Sequence, residues 1–260
     1  MAFCVHWSAL FPRADGGEDP RATDGAKAAS LGINYVVASA STTDVGGVCV
    51  RQDLRRFGVA GTVWNCARVL VEFFAQHPTM LSKRRVIELG AGTGAVGLAV
   101  ARVPGVASVA LTDLSNVIFA LTAKNAAAAA AQHDELRALS MKGALSAKPL
   151  RWGDEVSEDL RSVGPWDVVL CSDCLYEPQS YPDLLSSLDA LAATTTIVYI
   201  AYKQRHPDRE RSFFESASKR FEIEVWSEQA DDARPTAFRD EEIFVCRLQR
   251  RSDDGSGPAT

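Results

Sequence analysis

Arg85-Val86-Ile87-Glu88-Leu89-Gly90-Ala91-Gly92-Thr93-Gly94-Ala95-Val96-Gly97 joins a short apolar strand to a helix through alternating glycines. Glycine permits positive φ and lets backbone approach a ligand closely, and the helix that follows points its free N–H groups at the same place. Three alternating glycines exceed what a plain strand-to-helix turn requires, so the loop reads as a cradle for a nucleotide-type cofactor. Around it, strand and helix patterns alternate. Gly94 to Val103 reads as a helix ended by Pro104, Ala107 to Thr112 as a second strand, and Asn116 to Gln132 as a helix carried by alanine propensity. Lys148 to Trp152, Trp166 to Cys171 and Thr194 to Ala201 read as further strands, with a helix from Tyr181 to Ala192 before the last. A helix from Arg209 to Lys219 and strands Phe221 to Trp226 and Glu242 to Leu248 close the pattern. Such alternation predicts βαβ units and a mostly parallel sheet covered on both faces, with ligands beyond the carboxyl ends of its strands.

Ahead of this core, Val63, Ala67, Leu70, Val71 and Phe74 recur at helical steps from Thr62 to Gln76, ending before Pro78. Ile33 to Ser39 and Val45 to Val50 are β-branched runs separated by turn formers, which predicts a hairpin. The chain therefore divides into a tail over 1–30, a hairpin extension over 31–61, the main domain over 62–250 and a second tail over 251–260, the tails expected to be disordered.

The chain has 260 residues, 47% of them hydrophobic and 23% charged, which excludes wholesale disorder. Its 28 Lys and Arg against 33 Asp and Glu give a net charge of -5, which argues against nucleic acid as a partner. No apolar run reaches a bilayer-spanning length, so no membrane is expected, and the absence of a secretory pattern at Met1 to Asp19 suggests a cytosolic or nuclear location. The six cysteines read as reduced thiols; Cys171 and Cys174 form a single CxxC without a second pair or nearby histidines, so no metal is expected.

Two cofactors compete for the glycine loop, because Gly92, Gly94 and Gly97 also satisfy the dinucleotide pattern GxGxxG. Glu88, at the end of the first strand, favours S-adenosyl-L-methionine: its carboxylate suits the ammonium of a methionine moiety and would repel a pyrophosphate. Asp113, ending the second strand, can accept both ribose hydroxyls of either cofactor, or merely cap the next helix.

Four pieces in order, Thr62-Val63-Trp64-Asn65, Glu88 to Gly94, Trp152-Gly153 and Ser172-Asp173-Cys174-Leu175-Tyr176, resemble the class I, seven-β-strand methyltransferases. Their arrangement is similar to methyltransferase family 16, protein-lysine methyltransferases acting on chaperones and AAA-type ATPases. The resemblance implies an α/β, Rossmann-like, seven-stranded, mostly parallel sheet with the hairpin as an N-terminal extension. It also implies a monomer with a protein substrate. By it, Trp64, Gly90, Ala91, Gly92, Gly94, Asp113, Trp152 and Ser172 would contact the cofactor, with the tryptophans covering its apolar and π surfaces. Asp173 and Tyr176 would form the DxxY of the amine channel, with Asp173 orienting the amine or accepting its proton and Tyr176 serving as wall and hydrogen-bonding group. Asn65 departs from the family's usual Asp and loses its charge. The choice of lysine as acceptor rests on the resemblance alone. A different side chain, a small molecule, a nicotinamide-dependent reaction and a non-catalytic binding module stay open as alternatives. Lys203, Arg205, His206 and Arg209 form a basic cluster that either meets an acidic substrate patch or simply opens a solvated helix.

Overall fold

The computed structural model describes residues 3–6, 40–227 and 242–252. Its first elements are strand β1 (Phe3–His6), the hairpin strands β2 (Ser41–Val45) and β3 (Val48–Gln52), and helices α1 (Leu54–Phe57) and α2 (Asn65–Gln76). The core begins with β4 (Arg85–Leu89), α3 (Ala95–Val100), β5 (Ser108–Asp113) and α4 (Ser115–Val117). A single π-helical turn, Ile118–Thr122, leads into α5 (Ala123–Gln132), followed by α6 (Asp134–Met141) and β6 (Leu145–Pro149). Then come α7 (Glu158–Arg161), β7 (Val168–Ser172), α8 (Tyr181–Leu191), β8 (Ile197–Lys203), α9 (Pro207–Ala217), β9 (Phe221–Ser227) and β10 (Ile243–Arg250).

The main sheet runs β1-β9-β10-β8-β7-β4-β5-β6. β6, β5, β4, β7 and β8 pair in parallel, and β10 is antiparallel to both β8 and β9. This is the expected seven-stranded, mostly parallel sheet with one strand more. The addition, β1, comes from the stretch read as a tail and pairs antiparallel with Glu224 to Ser227 of β9, giving that otherwise outer strand a ladder partner. The central strands are apolar on both faces because helices cover both sides: Val86, Ile87 and Leu89 of β4 and Val168, Val169 and Leu170 of β7 are buried. Phe73, Phe74, Leu98 and Leu136 join the core of one face, and Leu160, Leu184, Leu188, Phe213 and Phe214 that of the other.

The hairpin lies later than the sequence pattern suggested. Its turn is Gly46-Gly47, both at positive φ, inside the run read as the second strand; the other run, Ile33 to Ser39, lies outside the described residues. Two glycines in this position select the tight turn whose twist matches the strands. Val45, Val48 and Val50 bury one face of the hairpin against the core. Polar latches hold it there: Arg102 Nη1 donates to the Gly46 and Gly47 carbonyls, and Arg68 Nη1 donates to that of Asp44. Asn125 Oδ1 accepts from the Arg51 N–H at 3.0 Å while its Nδ2 donates to the Arg51 carbonyl at 3.0 Å.

The third core strand is Leu145–Pro149 rather than Lys148 to Trp152. It is the outer strand of the sheet, every residue of it only half-buried, so its apolar pattern is too weak to set its limits; register comes from pairing, Val109 with Leu145 through Asp113 with Pro149. Trp152 consequently stands in the loop beyond the strand.

Candidate functional site

The carboxyl ends of β4, β5 and β7 open into a cleft of about 1450 Å³. Its cradle is the glycine loop. Gly90 and Gly92 have φ of +68° and +52°, and the Ala91 N–H donates to the Thr112 carbonyl at 2.9 Å, tying the loop to the next strand. A Cβ at Gly90 would lie 2.9 Å from Trp152 Cζ2 and 3.2 Å from Cys174 Sγ, and one at Gly92 would lie 2.7 Å from the Ala60 carbonyl oxygen. The loop is thus pressed between side chains on one side and the backbone of the segment ahead of α2 on the other. The π-helical turn and the start of α5 brace it from behind: Thr122 Oγ1 donates to the Gly92 carbonyl at 2.7 Å, and Asn125 Nδ2 to that of Thr93 at 2.8 Å. Insertions of this kind in a helix often accompany functional sites.

The front wall comes from the chain between the hairpin and α2. Val63 N–H donates to Gln52 Oε1 at 2.7 Å, and Asp53 N–H to the Gly61 carbonyl at 2.8 Å. Gly61 cannot be larger, because its Cβ would stand 2.2 Å from the Asp53 carbonyl oxygen. Trp64, the residue before the first turn of α2, lines the cleft and donates from Nε1 to the Val59 carbonyl at 2.9 Å. Trp152 lines the opposite side over Gly90, and Asn65, Ser172 and Tyr176 also face the cleft.

Four acids define its electrostatics. Glu88 lies beneath the loop, 2% exposed, its Oε2 accepting the Gly97 N–H at 2.8 Å; burial pushes its carboxyl up to about 8, partly opposed by that hydrogen bond. Asp113 accepts the N–H groups of Gly92 and Leu114, each at 2.7 Å, and burial raises its carboxyl against those bonds. Asp183 lines the cleft from the first turn of α8. Asp173 follows β7 with φ of +55° and is held in a fork by Arg205, Nη1 to Oδ1 at 2.7 Å and Nη2 to Oδ2 at 2.8 Å. Burial first, and then neighbouring negative charge, raises the phenol of Tyr176.

The structure gathers Trp64, Glu88, Gly90, Ala91, Gly92, Asp113, Trp152, Ser172, Asp173 and Tyr176 around one cleft. Gly94 is outside its lining: at φ +81° it caps α3, and a Cβ there would meet Thr122, Leu111 and Leu98. Gly97 is a packing residue, its Cα close against Leu111 and the Glu88 carboxylate. Of the basic cluster, His206 and Arg209 stand exposed at the start of α9, as the solvated-helix reading had it, whereas Arg205 turns into the cleft onto Asp173. Nothing local announces that pair across 32 positions, although both residues stand at the carboxyl ends of adjacent strands. Leu114 and Arg151 are further lining residues that the motifs did not single out, and Cys174, which lies within a motif but had no site role, lines the cleft as well.

A parallel sheet of this order, with a glycine cradle after its first core strand and an acid after its second, is the class I methyltransferase architecture. The sequence model of the lysine methyltransferase family matches residues 43–220, and the chain belongs to that family. It is 35% identical over 173 residues to protein N-lysine methyltransferase METTL21A of Danio rerio, covering 66% of this chain and 73% of that one. With EEF1A lysine methyltransferase 3 of Xenopus tropicalis it shares 30% identity over 158 residues, 61% of this chain and 64% of the relative. Among solved structures, Pyrococcus horikoshii TYW2 in complex with MeSAdo aligns over 81% of this chain and 71% of its own, at 14% identity and a TM-score of 0.48. The chain is accordingly an enzyme, an S-adenosyl-L-methionine-dependent protein-lysine N-methyltransferase. The cleft fits that donor: it is roomy, cradled by backbone free of side chains at Gly90 and Gly92, and supplied with acids at the ends of β4 and β5.

Proposed function

We propose that this enzyme methylates a lysine of a chaperone or AAA-type ATPase, acting as a monomer, with the donor and the amine meeting between the glycine loop and the Asp173–Tyr176 segment. The observation that carries the reading is the single continuous cleft holding both groups of residues. Gly90, Ala91 and Gly92 would seat the donor by backbone, Asp113 would accept its ribose hydroxyls, and Trp64 and Trp152 would cover its apolar surfaces. Glu88 would face its ammonium, and Ser172 would close the floor beside β4. When bound, S-adenosyl-L-methionine supplies an electrophilic methyl group on a sulfonium.

The chain's own work is placement. A lysine with a free pKa of about 10.4 must give up its proton, which costs about 4 kcal/mol near pH 7.4. The apolar walls at Val59, Trp64 and Leu114 lower that cost by disfavouring the ammonium. Asp173 accepts a hydrogen bond from the amine and Tyr176 flanks it, leaving the nitrogen lone pair directed along the cleft.

Incubating the purified enzyme with methyl-labelled S-adenosyl-L-methionine and a cell lysate tests this. A chaperone or AAA-type ATPase band should carry the label on lysine by mass spectrometry. Asp173→Ala should reduce labelling at least a hundredfold while its affinity for S-adenosyl-L-homocysteine, measured by calorimetry, stays within about threefold. Label on another residue type, or an active Asp173→Ala, would refute the reading.

A further inference from the structure

Asp173 does not stand free in the cleft. Its carboxylate, 6% exposed, has both oxygens engaged by the Arg205 guanidinium at 2.7 and 2.8 Å. Both ends of this pair are anchored. The Asp173 N–H donates to the Ala201 carbonyl at 2.8 Å, extending the pairing of β7 and β8 by one residue. The N–H groups of Arg205 and His206 both donate to Glu210 Oε1, at 3.1 and 3.0 Å, and Glu210 is itself buried at 1% exposure. A guanidinium whose backbone is held and which is forked onto a carboxylate fixes the plane of that carboxylate.

We propose that Arg205 is a positioning residue for methyl transfer, acting through Asp173: it holds that carboxylate rigidly in the orientation of a hydrogen-bond acceptor for the incoming amine. With both Asp173 oxygens already engaged by the guanidinium, the lysine proton leaves to water before transfer. The neutral amine then uses its lone pair to form the N–CH3 bond as the S–CH3 bond breaks. Positive charge passes from sulfur to nitrogen. This inference rests on the placement of the amine at Asp173 described above.

The test uses the whole enzyme and a lysate as the source of acceptor, with initial rates of label incorporation followed over a lysate dilution series. Arg205→Ala should lower the saturating rate at least tenfold, with half-saturation and the affinity for S-adenosyl-L-homocysteine within about twofold of the unaltered enzyme. Arg205→Lys should recover part of the rate, since one ammonium keeps the charge but not the fork. Wild-type rates in Arg205→Ala would overturn the inference. So would a joint loss of rate, product affinity and melting temperature that Arg205→Lys does nothing to relieve, because that pattern marks a structural role. If Arg205→Ala is normal while Asp173→Ala is inactive, only the role of Arg205 falls; if Asp173→Ala is itself active, both readings fall.

Discussion

Glu88 illustrates how a residue can be legible in position and not in behaviour. Its place at the end of β4 followed from the motif, as did its reading as a carboxylate suited to an ammonium, but what its surroundings do to its proton did not. In the fold it is covered, bonded to Gly97, and its carboxyl is raised from 4.5 to about 8, first by burial and also by the nearby Asp113. The native protein therefore holds a proton that the unfolded chain has already released above pH 4.5. Stability from this group is complete below about pH 4.5 and is lost as pH rises through about 8. Denaturation of the ligand-free enzyme in urea should show a fall between pH 5 and pH 8 on the order of 4 kcal/mol. Glu88→Gln, which can still accept the Gly97 N–H, should flatten most of that slope and leave a remainder from Asp113, whose carboxyl burial also raises. An unchanged slope in the variant would exclude Glu88 as its source. The cradle glycines, Asp113, Asp173 and Tyr176 were readable because each belongs to a contiguous motif at a strand end. Arg205 was not, because its meaning comes from a carboxylate 32 positions away.

Among the elements, the hairpin and α5 depend on each other in a way that neither announces. Asn125 sits in an alanine-rich helix whose formation propensity alone explains, yet its amide makes three bonds, two to Arg51 of β3 and one to the Thr93 carbonyl of the glycine loop. Asn125→Ala would leave the buried Thr93 carbonyl and the part-buried N–H and carbonyl of Arg51 without this partner, at a cost of about 2 kcal/mol. It should lower stability by that amount in urea and weaken S-adenosyl-L-homocysteine binding by calorimetry; Lys124→Ala, one residue away on the same helix, should do neither. Strongly apolar strands such as β4 and β7 were placed within two residues by sequence, because burial on both faces leaves one reading. β6 was shifted by three and the hairpin turn displaced, since half-buried strands take their limits from partners and from turn chemistry. The π-helical turn has no compositional signature; Thr122 bonding to Gly92 is what shapes it.

For the molecule as a whole, alternation of strand and helix was enough to predict a mostly parallel sheet and a cleft beyond the carboxyl ends of its strands, while the strand order came from the structure. The added strand β1 escaped because four residues of strand propensity near a chain end resemble many tails. The net charge of -5 bears on encounter more than on fold. An acidic enzyme meeting a lysine-bearing surface should gain from long-range attraction, which screening over about 10 Å at 0.1 M salt removes. At low acceptor concentration, labelling should slow severalfold between 50 and 300 mM salt, with the saturating rate little changed; insensitivity to salt would show that encounter is not steered by charge.

The front wall has a consequence for synthesis. Within itself the wall closes early, Val63 on Gln52 and Gly61 on Asp53, but what ties the hairpin and the far side of the cleft to the core is translated later: Arg51 waits for Asn125, and the Asp173 corner waits for Ala201. As it leaves the ribosome, the hairpin therefore emerges long before its docking surface exists, and the pocket closes only after about four-fifths of the chain has been made. A ribosome stalled while Ala201 is still in the exit tunnel would carry a nascent chain whose glycine loop is already braced but whose Asp173 corner has no strand to lean on.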